Sequence, residues 1–292
     1  MRPGFNATRR NRNIGTDKQG HGQNNRMRVA DPWSASGPFW AQLGRYRLIR
    51  RMCGGRELAF FVENTREDCV HACTVADIVR ILKQIPDQDY TTLAAIVLRQ
   101  PKRKEEILHP VWGRLGYWSN VGRPQDGAAS GPVVILEALA PFRVWWRKKS
   151  VDPAEAAELE RLTADGHVMI PERSRIRFES TLEATRATQL YRTLPHEIGH
   201  LLDFATRVPE PDEAKGISVD RYCELAERYW QRPAKEKEAF AHRYADEFRT
   251  RLNASCCIPF PRIETWDSDG LRSCDFSWPP HNQTSPRDPA TE

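Results

Sequence analysis

The stretch Thr193–Phe204 reads TLPHEIGHLLDF, and the rest of the chain is best read outward from it. It contains His196-Glu197-Ile198-Gly199-His200, an H-E-x-x-H pattern. On a helix, residues four apart share one face, so both imidazoles can reach a single metal ion. Glu197, one residue on, can lean toward the open position of that metal and take a proton from bound water. Leu194, Ile198, Leu201 and Leu202 form an apolar stripe that would pack such a helix on a core. Thr193 is a candidate N-cap, and Pro195 then falls in the first turn, where its missing N–H costs little. The competing reading is a pair of hydrogen-bonded histidines on a surface helix.

Zinc needs a third protein ligand if one position is to stay open for water. The metzincin pattern would place a Gly three residues after the second His and a third His six residues after it. Here those positions are Asp203 and Thr206, so that reading fails. The alternative is a carboxylate on a later helix. In PAKEKEAFAHRYADEFRTRL, residues 233–252, a core stripe runs through Ala234, Ala241, Ala245, Phe248 and Leu252. Glu238 falls on that stripe, and an acidic residue on an apolar face calls for a partner, because burying a bare carboxylate is expensive. A zinc ion held by His196 and His200 would be that partner. The competing account places Glu238 at the edge of the stripe, in water. Glu236 and Glu247 lie off the stripe and read as solvated.

HEIGHLLD, followed some forty residues later by Glu238-x-x-Ala241-x-x-Tyr244-Ala245, resembles a zincin metallopeptidase of the gluzincin type. The pairing is similar to that in the catalytic domain of anthrax lethal factor and its relatives. EAFAHRYADEF is also similar to the signature of the ImmA/IrrE regulatory peptidases, although His242 stands where those sequences usually carry Asn or Asp. The resemblance covers His196 to Phe248. It implies a zinc-dependent metallopeptidase with His196, His200 and Glu238 as ligands and Glu197 as general base. It also implies a Tyr or His donor aimed at the developing oxyanion. Tyr222, Tyr229, His242 and Tyr244 are candidates; His242, one turn beyond Glu238, is the first choice as a catalytic residue. Asp203 is placed either to orient a ligating imidazole or to pair with an arginine such as Arg207. By the same resemblance a peptide substrate lies along an edge strand, with 132–139 (PVVILEAL) the candidate strand and 120–131 a loop at the cleft rim.

The surroundings suit an α+β domain with a zincin-like order: a small mixed sheet, the HExxH helix, then a C-terminal helix carrying the third ligand. Strands are expected at Glu57–Val62, Thr92–Arg99, Val111–Ser119 and around Val133–Leu136. Thr74 caps a helix, VADIVRILKQI, that Pro86 stops. Further helices are expected over 153–164, 194–206, 219–231 and 234–252, and the order of elements makes the class α+β.

With 39% hydrophobic and 28% charged residues, the chain can bury a sizeable core and is not wholly disordered. No apolar run approaches the roughly 18–20 residues of a membrane-spanning helix. No apolar signal region is visible near Met1, so the expected compartment is the cytoplasm, and seven cysteines make a poor disulfide framework. The net charge of +5 conceals an asymmetry. Residues 1–52 hold eleven Arg/Lys against Asp17 and Asp31, whereas the remainder holds 33 basic and 37 acidic side chains. Residues 1–52 therefore read as a basic, disordered tail, 53–255 as the metallopeptidase domain, and 256–292 as a Pro/Ser-rich extension. An alternative function follows from the tail: a non-catalytic, metal-containing protein that docks nucleic acid or an acidic partner. Cys69-x-His71-x-Cys73 lacks a nearby fourth ligand and reads as a loop with incidental thiols, and Cys256-Cys257 has poor geometry for a shared disulfide. Trp145-Trp146-Arg147-Lys148-Lys149 reads as a strand end with a solvated basic flank.

Overall fold

A hairpin opens the folded body. Strands β1 (Tyr46–Cys53) and β2 (Arg56–Glu63) pair antiparallel, with Cys53 opposite Arg56 across a two-residue turn at Gly54-Gly55. Gly54 takes φ +59°, the left-handed conformation that such turns require and that side chains resist. The computed structural model describes residues 43–264, apart from 109–110, 141–144, 149–152, 174, 213 and 215.

From β2 the chain crosses through α1 (Val75–Leu82) to β3 (Ala95–Arg99), which lies parallel to β2. The Thr74 hydroxyl accepts from the Asp77 N–H while the Asp77 carboxylate accepts from the Thr74 N–H, a reciprocal cap that starts α1 where expected. A short α2 (Arg103–Leu108) precedes β4 (Gly113–Val121), and β5 (Ala129–Glu137) completes a sheet of order β1-β2-β3-β5-β4. β3 and β5 are parallel; β4 runs antiparallel to β5 at the edge.

A second, antiparallel sheet follows, of order β6-β8-β7, from β6 (Trp145–Lys148), β7 (Val168–Pro171) and β8 (Arg175–Glu179). Helix α3 (Pro153–Ala164) lies between β6 and β7 in sequence. Helical structure then dominates: α4 (Leu182–Thr188), a π turn over Gln189–Thr193, α5 (Leu194–Arg207), α6 (Val219–Gln231) and α7 (Ala234–Ala254). The class is α+β, and no helix of the described residues is long and apolar enough to cross a membrane.

The main core shows why the sheet and α5 stay together. Leu58, Phe60 and Val62 alternate onto one face with Ile96, Leu98, Val134 and Leu136. Ile78, Ile81 and Leu82 of α1 belong to the same buried cluster, as do Leu194, Ile198 and Leu201, three of the four members of the apolar stripe expected on α5. At roughly 1.5–3 kcal/mol for each large apolar side chain removed from water, this shared burial fixes α5 against the sheet.

Several expectations are corrected. β1 lies within the stretch read as tail and carries Arg47, Arg50 and Arg51 of that basic run, so the body starts at or before Tyr46. The arginines hid the strand, but Ile49 and Cys53 supply its buried face. The body also continues past 255: Ile258 and Phe260 are buried in the main core, and the Ile263 N–H donates to Asp77. The remaining tail residues, 1–42 and 265–292, lie outside the described residues. Thr193 is not an N-cap. It has helical φ −64°, ψ −51° and makes no capping bond, because α4, the π turn and α5 form one continuous helical run. The wide turn, in which the Leu194 N–H donates to the Gln189 carbonyl, accommodates Pro195 where a regular helix would lose a bond.

Candidate metal centre

Helix α5 presents His196 and His200 on one side, and α7 passes across them. Gly199 is what lets the helices come so close. A Cβ there would lie 3.0 Å from the Ala241 Cα and 3.2 Å from the Tyr244 Cβ. Ala241 and Ala245 are buried in the same contact, and Glu238, one turn before Ala241, is thereby delivered to the histidines. Its carboxylate meets both rings: Oε2 lies 3.4 Å from the His196 Nε2 and Oε1 lies 3.5 Å from the His200 Nε2. The ligand atoms of the three residues all lie within 4.8 Å of one another, and no other His/Cys/Asp/Glu group among the described residues is so gathered.

Glu238 is brought in by a different route from the one its sequence position suggested. Its side chain is 53% exposed, and Ala234 is exposed as well, so the buried stripe begins only at Ala241. Glu238 reaches water and the histidines together, at the mouth of the cleft. The two imidazoles hold its carboxyl far below the usual carboxylate range. Burial pulls the His200 pKa down, but the Glu238 hydrogen bond and the charges of Glu197 and Glu238 outweigh it and raise the value overall.

Glu197 lines the same cleft as His196, on the side nearer strand β4. It is buried, and burial pushes its pKa up against the opposing pull of His196, His200 and the nearby Leu115 main chain of β4. The strand can approach because Gly113 has no side chain; a Cβ there would meet the Ile135 carbonyl at 2.6 Å and the Thr193 methyl at 2.9 Å. Gln189 locks the same junction: its amide donates to the Trp112 carbonyl at 2.9 Å and to the Glu137 carbonyl at 2.8 Å.

A cleft of about 250 Å³ opens beside the histidines. Val111, Trp112 and Gly113 form its strand wall; Arg192, Thr193, His196 and Glu197 form its helix wall, with Glu158 and Leu162 of α3 behind and His242 opposite. His242 is half-buried with its ring centroid 4.5 Å from that of His196, and burial lowers its pKa, as do the neighbouring His196 and Arg161. Of the other donor candidates, Tyr229 is buried with its hydroxyl 3.5 Å from that of Tyr117, and the Tyr244 hydroxyl donates to Asp89 at 2.7 Å. The Tyr222 hydroxyl accepts from the Trp118 indole at 3.3 Å, away from the cleft.

The strand expectations need correction. β5, which contains most of 132–139, is interior, bonded to β3 on one side and β4 on the other. The edge beside α5 is β4. Residues 120–131 do not line the cleft, and the loop is tied toward β1, where the Tyr46 hydroxyl donates to Asp126 and accepts from the Arg123 N–H. Asp203 resolves to its arginine alternative: it is 1% exposed and accepts from Arg207 at 2.7 Å and Arg232 at 2.8 Å.

Cys69, His71 and Cys73 turn to separate partners. The Cys69 sulfur accepts from Arg66, the Cys73 thiol donates to Gln189, and the His71 ring bonds the Glu63 carbonyl. Cys256 and Cys257 are both free thiols. Trp145–Lys148 forms β6, and Lys149 lies outside the described residues.

Three participants escaped the sequence reading: Arg192, Glu158 and the Leu115 main chain. The signal for Arg192 was a charge flanked by Leu190, Tyr191 and Leu194 in a helix that had to be buried. The main-chain group leaves no sequence signal. No protein-family model, curated protein or solved structure matches the chain.

Proposed function

We propose that this chain is a zinc-dependent metallopeptidase of the zincin type, with His196, His200 and Glu238 as ligands, Glu197 as general base and His242 as a catalytic donor. The observation that carries the reading is the convergence of two imidazole nitrogens on one carboxylate, with a second, buried carboxylate on the same helix. The donor set fits zinc: two nitrogens and one oxygen, the set of many hydrolytic zinc sites. The spacing is compatible with such a site: each imidazole lies 3.4 or 3.5 Å from one Glu238 oxygen, and one ligand atom from each residue lies within 4.8 Å of the others. Ligands of a tetrahedral zinc stand roughly 3.3 Å apart. A bound zinc supplies Lewis acidity, lowering the pKa of water in its open position and polarising a carbonyl oxygen.

The protein's own groups supply the rest. Glu197, with a pKa raised by burial, is suited to accept a proton from the attacking water and return it to the amine leaving group. The nearby Leu115 main chain favours the charged form of that carboxylate. His242, across the cleft, is placed to donate toward charge developing on the substrate oxygen. The outer edge of β4 offers main-chain groups to an extended peptide, in place of the strand first expected. An edge strand running antiparallel to its neighbour, next to the histidine helix, together with a third ligand on the following long helix, supports the zincin type.

Replacing Glu197 by Gln tests the reading. The variant is expected to keep its zinc and lose at least about a hundredfold in peptide hydrolysis, the scale of a general base. Hydrolysis at the wild-type rate with zinc retained overturns it.

A further inference from the structure

We propose that Arg192 sets the specificity of the cleft, and that the pocket beside the histidines receives an acidic side chain of the substrate, glutamate or aspartate. This rests on the cleft being a peptide site and adds the substrate class.

Arg192 stands in the π turn and lines the cleft next to His196 and Glu197, yet it is only 8% exposed. Its Nε donates to Asp165 at 2.8 Å, and its Nη1 donates to both oxygens of Glu158, at 2.8 and 3.0 Å. Its Nη2 is buried and has no hydrogen-bond partner among the described residues. A guanidinium donor removed from water and left unmatched is rare, because it forfeits hydration for nothing; such groups call for a ligand.

The guanidinium is also held in place. Asp165 is fixed from two further sides, by the Thr188 hydroxyl at 2.8 Å and Arg249 at 2.6 Å. The planar fork is therefore fixed before any ligand arrives.

Charge selects the ligand. Glu158 also accepts from Arg161 at 3.0 Å, so Arg161, Arg192 and Arg249 share the two carboxylates Glu158 and Asp165. Taken by themselves, these three guanidiniums and two carboxylates sum to +1. A carboxylate on Nη2 balances it through a charge-assisted bond, a carboxamide satisfies only the donor, and an apolar side chain leaves it bare. Leu162 and Trp112 supply apolar wall for the methylene stem.

The test reads binding, so it is independent of turnover. Fluorescent peptides that differ by a single Glu, Gln, Leu or Lys, moved through each position, are titrated by fluorescence polarisation into zinc-loaded Glu197→Gln protein. At one position Glu is expected to bind at least about tenfold tighter than Leu, with Gln between, the worth of one charged hydrogen bond. Adding Arg192→Gln is expected to abolish that preference. Adding Glu158→Gln, on a partly exposed side chain, keeps an acceptor for Nη1 but removes a competing negative charge, and is expected to widen the Glu-over-Gln ratio about fivefold. If Arg192→Gln fails to fold, the Glu158→Gln result decides. No preference for Glu at any position, an unchanged ratio in Glu158→Gln, or no peptide bound at all overturns the proposal. Wild-type protein that binds Glu peptides selectively but cleaves none overturns the peptidase reading and leaves Arg192 in its role.

Discussion

Helix α5 carries a buried carboxylate near each end, and the two are treated in opposite ways. Asp203, toward the C-terminus, has one arginine on each oxygen, and these hold its pKa down although burial alone would raise it. Glu197, toward the N-terminus, faces two imidazoles, and its pKa is raised. The difference lies in the partners. An arginine stays charged at any physiological pH and neutralises a carboxylate permanently. An imidazole carries a charge only when protonated, so it is not the permanent counter-charge that an arginine is. The Asp203 end is a closed ion-pair network that ties α5 to Arg232 at the end of α6. The His196 end instead gathers two imidazoles and the Glu238 carboxylate at the cleft, the group on which the proposed metal site rests.

Breaking the closed end should cost stability and spare metal binding. Asp203→Ala removes two charged hydrogen bonds but leaves arginines that reach water, and is expected to destabilise the metal-free protein by about 1.5–3 kcal/mol. Urea denaturation reads this loss, and zinc stoichiometry in the folded fraction should be unchanged. Loss of zinc from folded Asp203→Ala would mean that the two ends are not independent.

The histidines sharpen the same contrast. His71 bonds the Glu63 carbonyl, and His167 bonds the Ser180 and Thr188 hydroxyls. Burial lowers each to about 4, against the Glu63 hydrogen bond for His71 and against the Asp165 charge for His167. Because the folded values lie below the unfolded one, their stability contribution is whole above about pH 6.5. It is lost as pH falls from there through about 4, by up to roughly 3 kcal/mol for each residue. His200, raised by its carboxylates, contributes with the opposite sign. Urea midpoints of metal-free protein between these pH values should fall, and His71→Gln should flatten the fall. A fall equally steep in His71→Gln would remove that residue from the account.

The smallest effect is expected where the two helices touch. Gly199→Val forces side-chain volume against Ala241 and should cost about 1–3 kcal/mol. It should also weaken zinc binding by moving Glu238, although residue 199 ligates nothing. Metal competition with a chromophoric chelator reads the shift; unchanged affinity would mean that α7 accommodates the added bulk without displacing its glutamate.

What the sequence disclosed follows from the range of the forces involved. The spacing of His196 and His200 is local helical geometry, so it was legible, as were the Thr74 cap and most helix bounds. Glu238 was picked out by its position on a stripe, but its burial was misjudged, because the exposed start of α7 depends on where α5 ends. Asp203 could not be assigned, since Arg232 lies 29 residues away and only the turn into α7 brings it back. The edge strand was misplaced for a physical reason: β5 is buried from Val133 to Glu137, which is how an interior strand reads, whereas β4 mixes exposed and buried residues as an edge does. Of the three-stranded sheet, Trp145–Lys148 was read as a strand end, but β7 and β8 were missed because they are only four and five residues long.

The most direct test of the central claim is zinc per chain, by elemental analysis after dialysis, for wild type and Glu238→Ala side by side. The expected result is one zinc in the wild type and a marked loss in the variant, with both proteins folded by circular dichroism. Folded wild-type protein that holds no zinc after reconstitution, or a Glu238→Ala variant that holds it as well as wild type, would contradict the three-residue site.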